Sequence, residues 1–121
     1  MTHLMTRLLA SASVGLFLLS GCAFYHEKNP PSPASVMPGT VTWGQVYYSV
    51  MQPRCAICHS AGGAGFDCSN YGSVVKSITQ VQDRAITKQS MPADSPLTPY
   101  ETAVLQAWIN EGTPNGGGGP Q

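Results

Sequence analysis

Cys55-Ala56-Ile57-Cys58-His59 is the stretch whose reading decides the rest of the chain. It is a C-x-x-C-H pentapeptide. Each of two thiols three positions apart can form a thioether to a haem vinyl group, and the histidine that follows can reach the iron as an axial ligand. Other readings explain less. A disulfide between Cys55 and Cys58 leaves the histidine without a role, and its loop is too short to restrain the unfolded chain much. A zinc site wants four ligands, usually as two pairs, and beyond the pentapeptide the only thiol downstream is Cys68. A thioredoxin-like motif belongs beside β-α-β patterning, which the flanks lack.

Covalent haem attachment needs an oxidising, haem-delivering compartment, and the amino terminus supplies the route. Met1 to Arg7 carries one positive charge and no negative one, Leu8 to Leu19 is apolar apart from small residues, and Leu19-Ser20-Gly21-Cys22 follows. This is the layout of a secretory signal over residues 1–21, too short and wrongly flanked to span a membrane. Its end resembles a bacterial lipobox, in which Cys22 is diacylated and becomes the first residue of the mature chain. The alternative is an ordinary signal cleaved near Cys22, which leaves a free thiol.

Removal of the signal leaves roughly 100 residues, one domain at most. So short a chain buries a modest core. A covalently held haem offers a large flat apolar body around which short helices can pack. Six Lys and Arg balance six Asp and Glu, and only 10% of residues are charged. The balance carries no nucleic-acid footprint. Electrostatic steering of a partner should be weak, so docking is expected on an uncharged patch around the haem edge.

Residues 22–40 include Pro30, Pro31, Pro33 and Pro38 without a sustained apolar period and read as an extended tether. In polyproline geometry this tether could hold the domain up to roughly 50 Å from a lipid surface. His26 and Met37 lie within it, which makes each a poor fixed ligand. The folded domain is expected over residues 41–115. Its first helix starts at Thr42, where Thr-x-x-Gln with Gln45 is a capping-box pattern, and Trp43, Val46, Tyr47, Val50 and Met51 make one apolar face. Pro53 is expected to stop it. Gly44 in the first turn is either a place where another helix backbone comes close or a tolerated glycine.

After His59, residues 60–65 read as a flexible glycine loop, and Ser69 is a candidate cap for a short helix through Val74, Val75 and Ile78. Cys68 reads as a buried small hydrophobe, with a redox-sensitive group or an intermolecular disulfide as the other readings. In Ser90-Met91-Pro92 the proline disfavours helical geometry at Met91, so its thioether can project from a loop. There it can serve as the second axial ligand, opposite His59, or simply fill a gap in the core. Met51, in the helix leading into the pentapeptide, is poorly placed for the far haem face. Thr98-Pro99-Tyr100-Glu101 opens the last helix, Val104, Leu105, Trp108 and Ile109 form its stripe, and Gly112 and Pro114 end it. Residues 116–121 read as a disordered glycine-rich tail.

In this order the motifs resemble the small monohaem c-type cytochromes, class I-like, and most closely their bacterial lipoprotein variants: an amino-terminal helix, Cys55-Ala56-Ile57-Cys58-His59 at its end, a Met91-Pro92 loop, and a terminal helix ending Trp108-Ile109-Asn110-Glu111-Gly112. The resemblance spans about Thr40 to Pro114. It implies an all-α fold of three to four short helices around one covalent haem c, with the first and last helices crossing so that Gly44 and Trp108 are neighbours. Cys55 and Cys58 would hold the haem, and His59 and Met91 its iron. Many members orient the proximal histidine through the carbonyl of a proline soon after the pentapeptide; no proline stands between His59 and Pro92 here, so the partner of the His59 N–H is left to be found.

The expected function is one-electron transfer by a lipid-anchored carrier facing the periplasm or the cell surface, with redox proteins as partners and no small-molecule substrate. Ala23 after Cys22 favours the outer membrane under the common diderm sorting pattern. The chain is not expected to be an enzyme, because only His26 and His59 remain after signal removal and neither suits distal acid-base work. The alternative is a haem sensor, or a small haem subunit of a larger redox complex, with an open or labile distal site.

Overall fold

The computed structural model describes residues 31–121. Among these residues every regular element is helical, so the fold is all-α. The expected signal, the acylated Cys22 and His26 lie outside the described residues. No helix among them is long and apolar enough to cross a membrane.

Thr42 opens the first helix as its sequence predicts, its Oγ1 accepting from the Gln45 N–H at 3.4 Å. The α-helical turn α1, Trp43–Val46, then runs directly into a π-helical stretch, Tyr47–Cys55, with Pro53 inside it. Pro53 therefore does not stop the helix. The wider turn, marked by the Ala56 N–H donating to the Met51 carbonyl at 2.9 Å, accommodates a ring that would crowd the carbonyl four residues back in an α-helix. Val46, Val50 and Met51 are fully buried along this rod.

The middle of the chain is more broken than its apolar points suggest. Helix α2, Tyr71–Lys76, is capped by Asn70, whose side chain accepts from the Ser73 N–H at 2.9 Å. Ser69, the expected cap, is engaged elsewhere: its hydroxyl and N–H both donate to Asp67 Oδ1. Ser77 interrupts the rod, and α3, Ile78–Val81, continues as a π-helical stretch, Gln82–Thr87.

Helix α4, Pro99–Asn110, has every device read from its sequence. Thr98 Oγ1 accepts from the Glu101 N–H, and Glu101 reaches back to the Thr98 N–H at 2.7 Å. Gly112 takes a left-handed φ of 80°, its N–H donates to the Ile109 carbonyl, and the Thr113 N–H donates to the Trp108 carbonyl. These two bonds satisfy carbonyls that the helix end would otherwise strand. Val104, Leu105 and Trp108 are buried, and Trp108 packs on Trp43 with ring centroids 5.6 Å apart. Thus α1 and α4 cross through their tryptophans.

Both chain ends of the domain depart from the expected tether and tail. Pro33–Ser35 forms a short 3-10 turn under a Ser32 cap, and the Gly39 N–H donates to Glu111. The last residues lie on α1. The Trp43 and Gly44 N–H groups, two that a helix start leaves unpaired, donate to Asn115 and Gly117 carbonyls at 2.9 and 3.1 Å. Trp43 Nε1 donates to the Pro120 carbonyl at 2.6 Å. Gly44 does have a close backbone neighbour, but it is the tail: a Cβ there would stand 2.8 Å from the Gly118 carbonyl carbon.

Candidate haem-binding site

The π-helical stretch delivers the pentapeptide as one more helical turn. The Cys58 and His59 N–H groups both donate to the Cys55 carbonyl, at 3.2 and 2.9 Å. Residues three and four apart in such a turn share a face, which sets Cys58 and His59 on the side of Cys55. Ile57 falls on the other side and is 87% exposed.

The glycine loop closes back on this turn instead of hanging free. The Ala64 N–H donates to the Cys58 carbonyl at 3.1 Å and the Cys68 N–H to the His59 carbonyl at 2.7 Å. Position 63 has to be glycine, since a Cβ there would lie 2.6 Å from the Cys58 carbonyl oxygen. The closed loop supplies what no proline supplies here. His59 Nδ1 faces the Ala64 carbonyl. A carbonyl only accepts, so Nδ1 carries the hydrogen and Nε2 keeps a free lone pair, the arrangement a metal-binding imidazole needs. Phe66 stacks on the ring with centroids 4.9 Å apart and planes 20° from parallel. The imidazole is thus fixed in both rotation and tautomer.

Beside it lies a cavity of about 340 Å³. Cys55, His59 and Met91 all line it, with Phe66, Val81 and Ala85 as apolar wall and Ser77, Gln80 and Arg84 as polar groups. Its volume and mixed lining are those of a small-molecule or cofactor site. Met91 is brought there by the bend after the second π-helical stretch. Gln89 adopts a left-handed φ of 51°, and the Ser90 and Met91 N–H groups both donate to the Arg84 carbonyl, at 2.8 and 3.2 Å. The donor set fits a haem: an oriented imidazole, a thioether and a thiol converge on one apolar-walled space. Cys58 is exposed and does not line the cavity. Met51 is buried in the core away from it, and Met37 is 65% exposed.

Among the described residues no three His, Cys, Asp or Glu side chains gather closely enough to hold a metal ion by themselves. Burial pushes the Cys55 thiol up to about 12, with the neighbouring Cys68 adding to the effect. Cys68 is fully buried, the first of its three readings. Its own thiol is pushed up to about 11 by burial and then by the charge of Asp67. The Asp67 carboxyl is held below its ordinary value by the Ser69 hydroxyl and N–H.

Sequence reasoning missed two participants. Ala64 contributes only a backbone carbonyl, which leaves no trace in residue identity. Arg54 gave no signal because its partners, Ser95, Pro96 and Glu101, are far along the chain. No protein-family model matches the chain, and neither does any curated protein or solved structure.

Proposed function

We propose that this protein is a monohaem c-type cytochrome that carries single electrons, anchored through an acylated Cys22 and facing the periplasm or the cell surface. The observation that carries the reading is the shared cavity: Cys55 and His59 from the pentapeptide and Met91 from a distant loop line the same space. A covalently held haem would supply the ferric/ferrous couple. Cys55 and Cys58 would hold it by thioethers. His59 would offer Nε2 to the iron because Ala64 occupies Nδ1–H. Met91 would offer its thioether as a second ligand, which would raise the potential and close the iron to outside ligands.

The rest of the chain suits this task. Phe66, Val81 and Ala85 keep the cavity wall apolar, which tunes the couple and limits solvent access. The exposed Ile57 and Tyr48, on the pentapeptide and the helix that leads to it, give an uncharged surface where a redox partner could dock. With so few charges on the chain, that docking should depend little on salt.

Optical spectra of the matured protein in both redox states test the reading, together with Met91→Ala. The wild type is expected to display the weak far-red band of a methionine–ferric bond and to resist carbon monoxide. Met91→Ala should lose the band and take up carbon monoxide while keeping its haem. An unchanged spectrum in the variant would exclude Met91 as the ligand.

A further inference from the structure

Arg54 immediately precedes the first cysteine of the pentapeptide, yet its guanidinium reaches the loop that carries Met91. Its Nη2 donates to the Ser95 carbonyl at 2.9 Å, the Ser95 hydroxyl at 2.8 Å and the Pro96 carbonyl at 3.1 Å. Its Nε stands 3.9 Å from Glu101 Oε1, while the other oxygen of that carboxylate accepts from the Thr98 N–H. The side chains of Arg54 and Glu101 are only 20% and 14% exposed. At that distance the ion pair alone would contribute little. The bonds to Ser95 and Pro96 are different in kind, being directional and charge-assisted.

What makes them matter is how little else holds the loop. Among the described residues, the other hydrogen bond made by positions 91–97 is the Met91 N–H to the Arg84 carbonyl. Leu97 is buried, while residues 93–96 are exposed. The loop is therefore tied at its start by Arg84, at its end by Leu97, and in between by Arg54 alone. Arg54 also belongs to the rigid turn that carries Cys55 and His59, so it fixes the Met91 loop to the same body as the proximal side of the cavity.

We infer that Arg54 is a positioning residue for the distal ligand: a clamp that keeps the Met91 loop closed over the cavity and so sets how readily Met91 leaves the iron. The inference rests on the haem reading above. Its consequence is kinetic. Carbon monoxide can bind ferrous iron only after Met91 has left, so its rate of combination reports loop opening.

The test compares haem-loaded wild type, Arg54→Ala and Arg54→Lys, measuring the far-red band, the rate of carbon monoxide combination and the thermal midpoint. Arg54→Ala should keep its haem, combine with carbon monoxide about tenfold faster, and show a weakened band, the factor expected for loss of a charge-assisted hydrogen bond. Arg54→Lys retains the charge beside Glu101 but not the planar fork. It should fall between the two, and it carries the test if the alanine variant yields no loaded protein. A lowered thermal midpoint with wild-type band and rate would make Arg54 merely structural and overturn the inference. A loaded wild type without the methionine band would instead overturn the assignment of Met91, and the clamp with it.

Discussion

The two sides of this small protein are built in opposite ways. On one, where α1 and α4 cross, the chain fills its own space: Trp43, Tyr71 and Trp108 pack ring on ring, and their polar atoms are all taken up by the carboxyl-terminal segment. Tyr71 Oη donates to the Thr113 carbonyl, Trp108 Nε1 to Pro114 and Trp43 Nε1 to Pro120. On the other, Cys55 and His59 of the pentapeptide turn line a cavity together with Met91, an apolar wall of Phe66, Val81 and Ala85, and the polar Ser77, Gln80 and Arg84. Buried aromatics with satisfied donors need nothing further to be stable. The contrast teaches that the chain closes one side with its own side chains and keeps a lined cavity on the other, the side where the proposed haem would sit.

The closed side should fail first when its centre is removed. Trp108→Ala is expected to cost about 3–5 kcal/mol of stability, since a fully buried ring leaves a hole its neighbours cannot close. Denaturant unfolding of the loaded protein measures this. A cost below 1 kcal/mol would mean that the crossing is not the stable half, and the contrast would collapse.

A smaller effect sharpens the boundary between the sides. Gly44→Ala brings a methyl group against the backbone of Gly117 and Gly118, so the tail must lift. The expected loss is about 1–3 kcal/mol, reduced by the better helix propensity of alanine, about 1 kcal/mol. Amide exchange should rise at Trp43 and Gly44, whose N–H groups the tail caps, while the spectrum stays as in wild type. A spectral change would show that the two sides are coupled after all.

A third effect is one of pH. The folded protein holds the Cys68 proton up to about 11, above the ordinary thiol value of 9.0. The unfolded chain therefore releases that proton first, so stability present below pH 9 is lost as pH rises from 9 to 11. In Cys68→Ala this part of the pH dependence should vanish. A slope unchanged in the variant would assign it to other groups.

How much of this could be read from residues alone follows from what kind of atom carries each feature. The last helix was legible from Thr98 to Gly112 because capping, periodicity and termination all depend on side-chain identity or on a required glycine. The pentapeptide and Met91 could be singled out as candidates because thiol, imidazole and thioether are chemically distinctive, and the structure brings Cys55, His59 and Met91 to one cavity. The tail on α1 was not legible: its contribution is made by the carbonyls of Asn115, Gly117 and Pro120, and a run of glycines announces flexibility whether or not it is laid down. The same holds for Ala64, which orients His59 without a side chain. Pro53 misled for a different reason, since the rule that proline ends a helix assumes α geometry and the chain widens into a π turn there. Asn70 displaced Ser69 as a cap because Asp67 had already claimed the Ser69 hydroxyl, a competition between neighbours that single positions do not reveal.

The central claim, a haem joined to Cys55 and Cys58, is tested most directly by the intact mass of the denatured protein after export through an active cytochrome-maturation system. The account predicts a mass above that of the processed chain by one haem, an increment that disappears in the Cys55→Ser, Cys58→Ser double variant. The bare polypeptide mass in wild type, with a control cytochrome matured in the same cells, would contradict it.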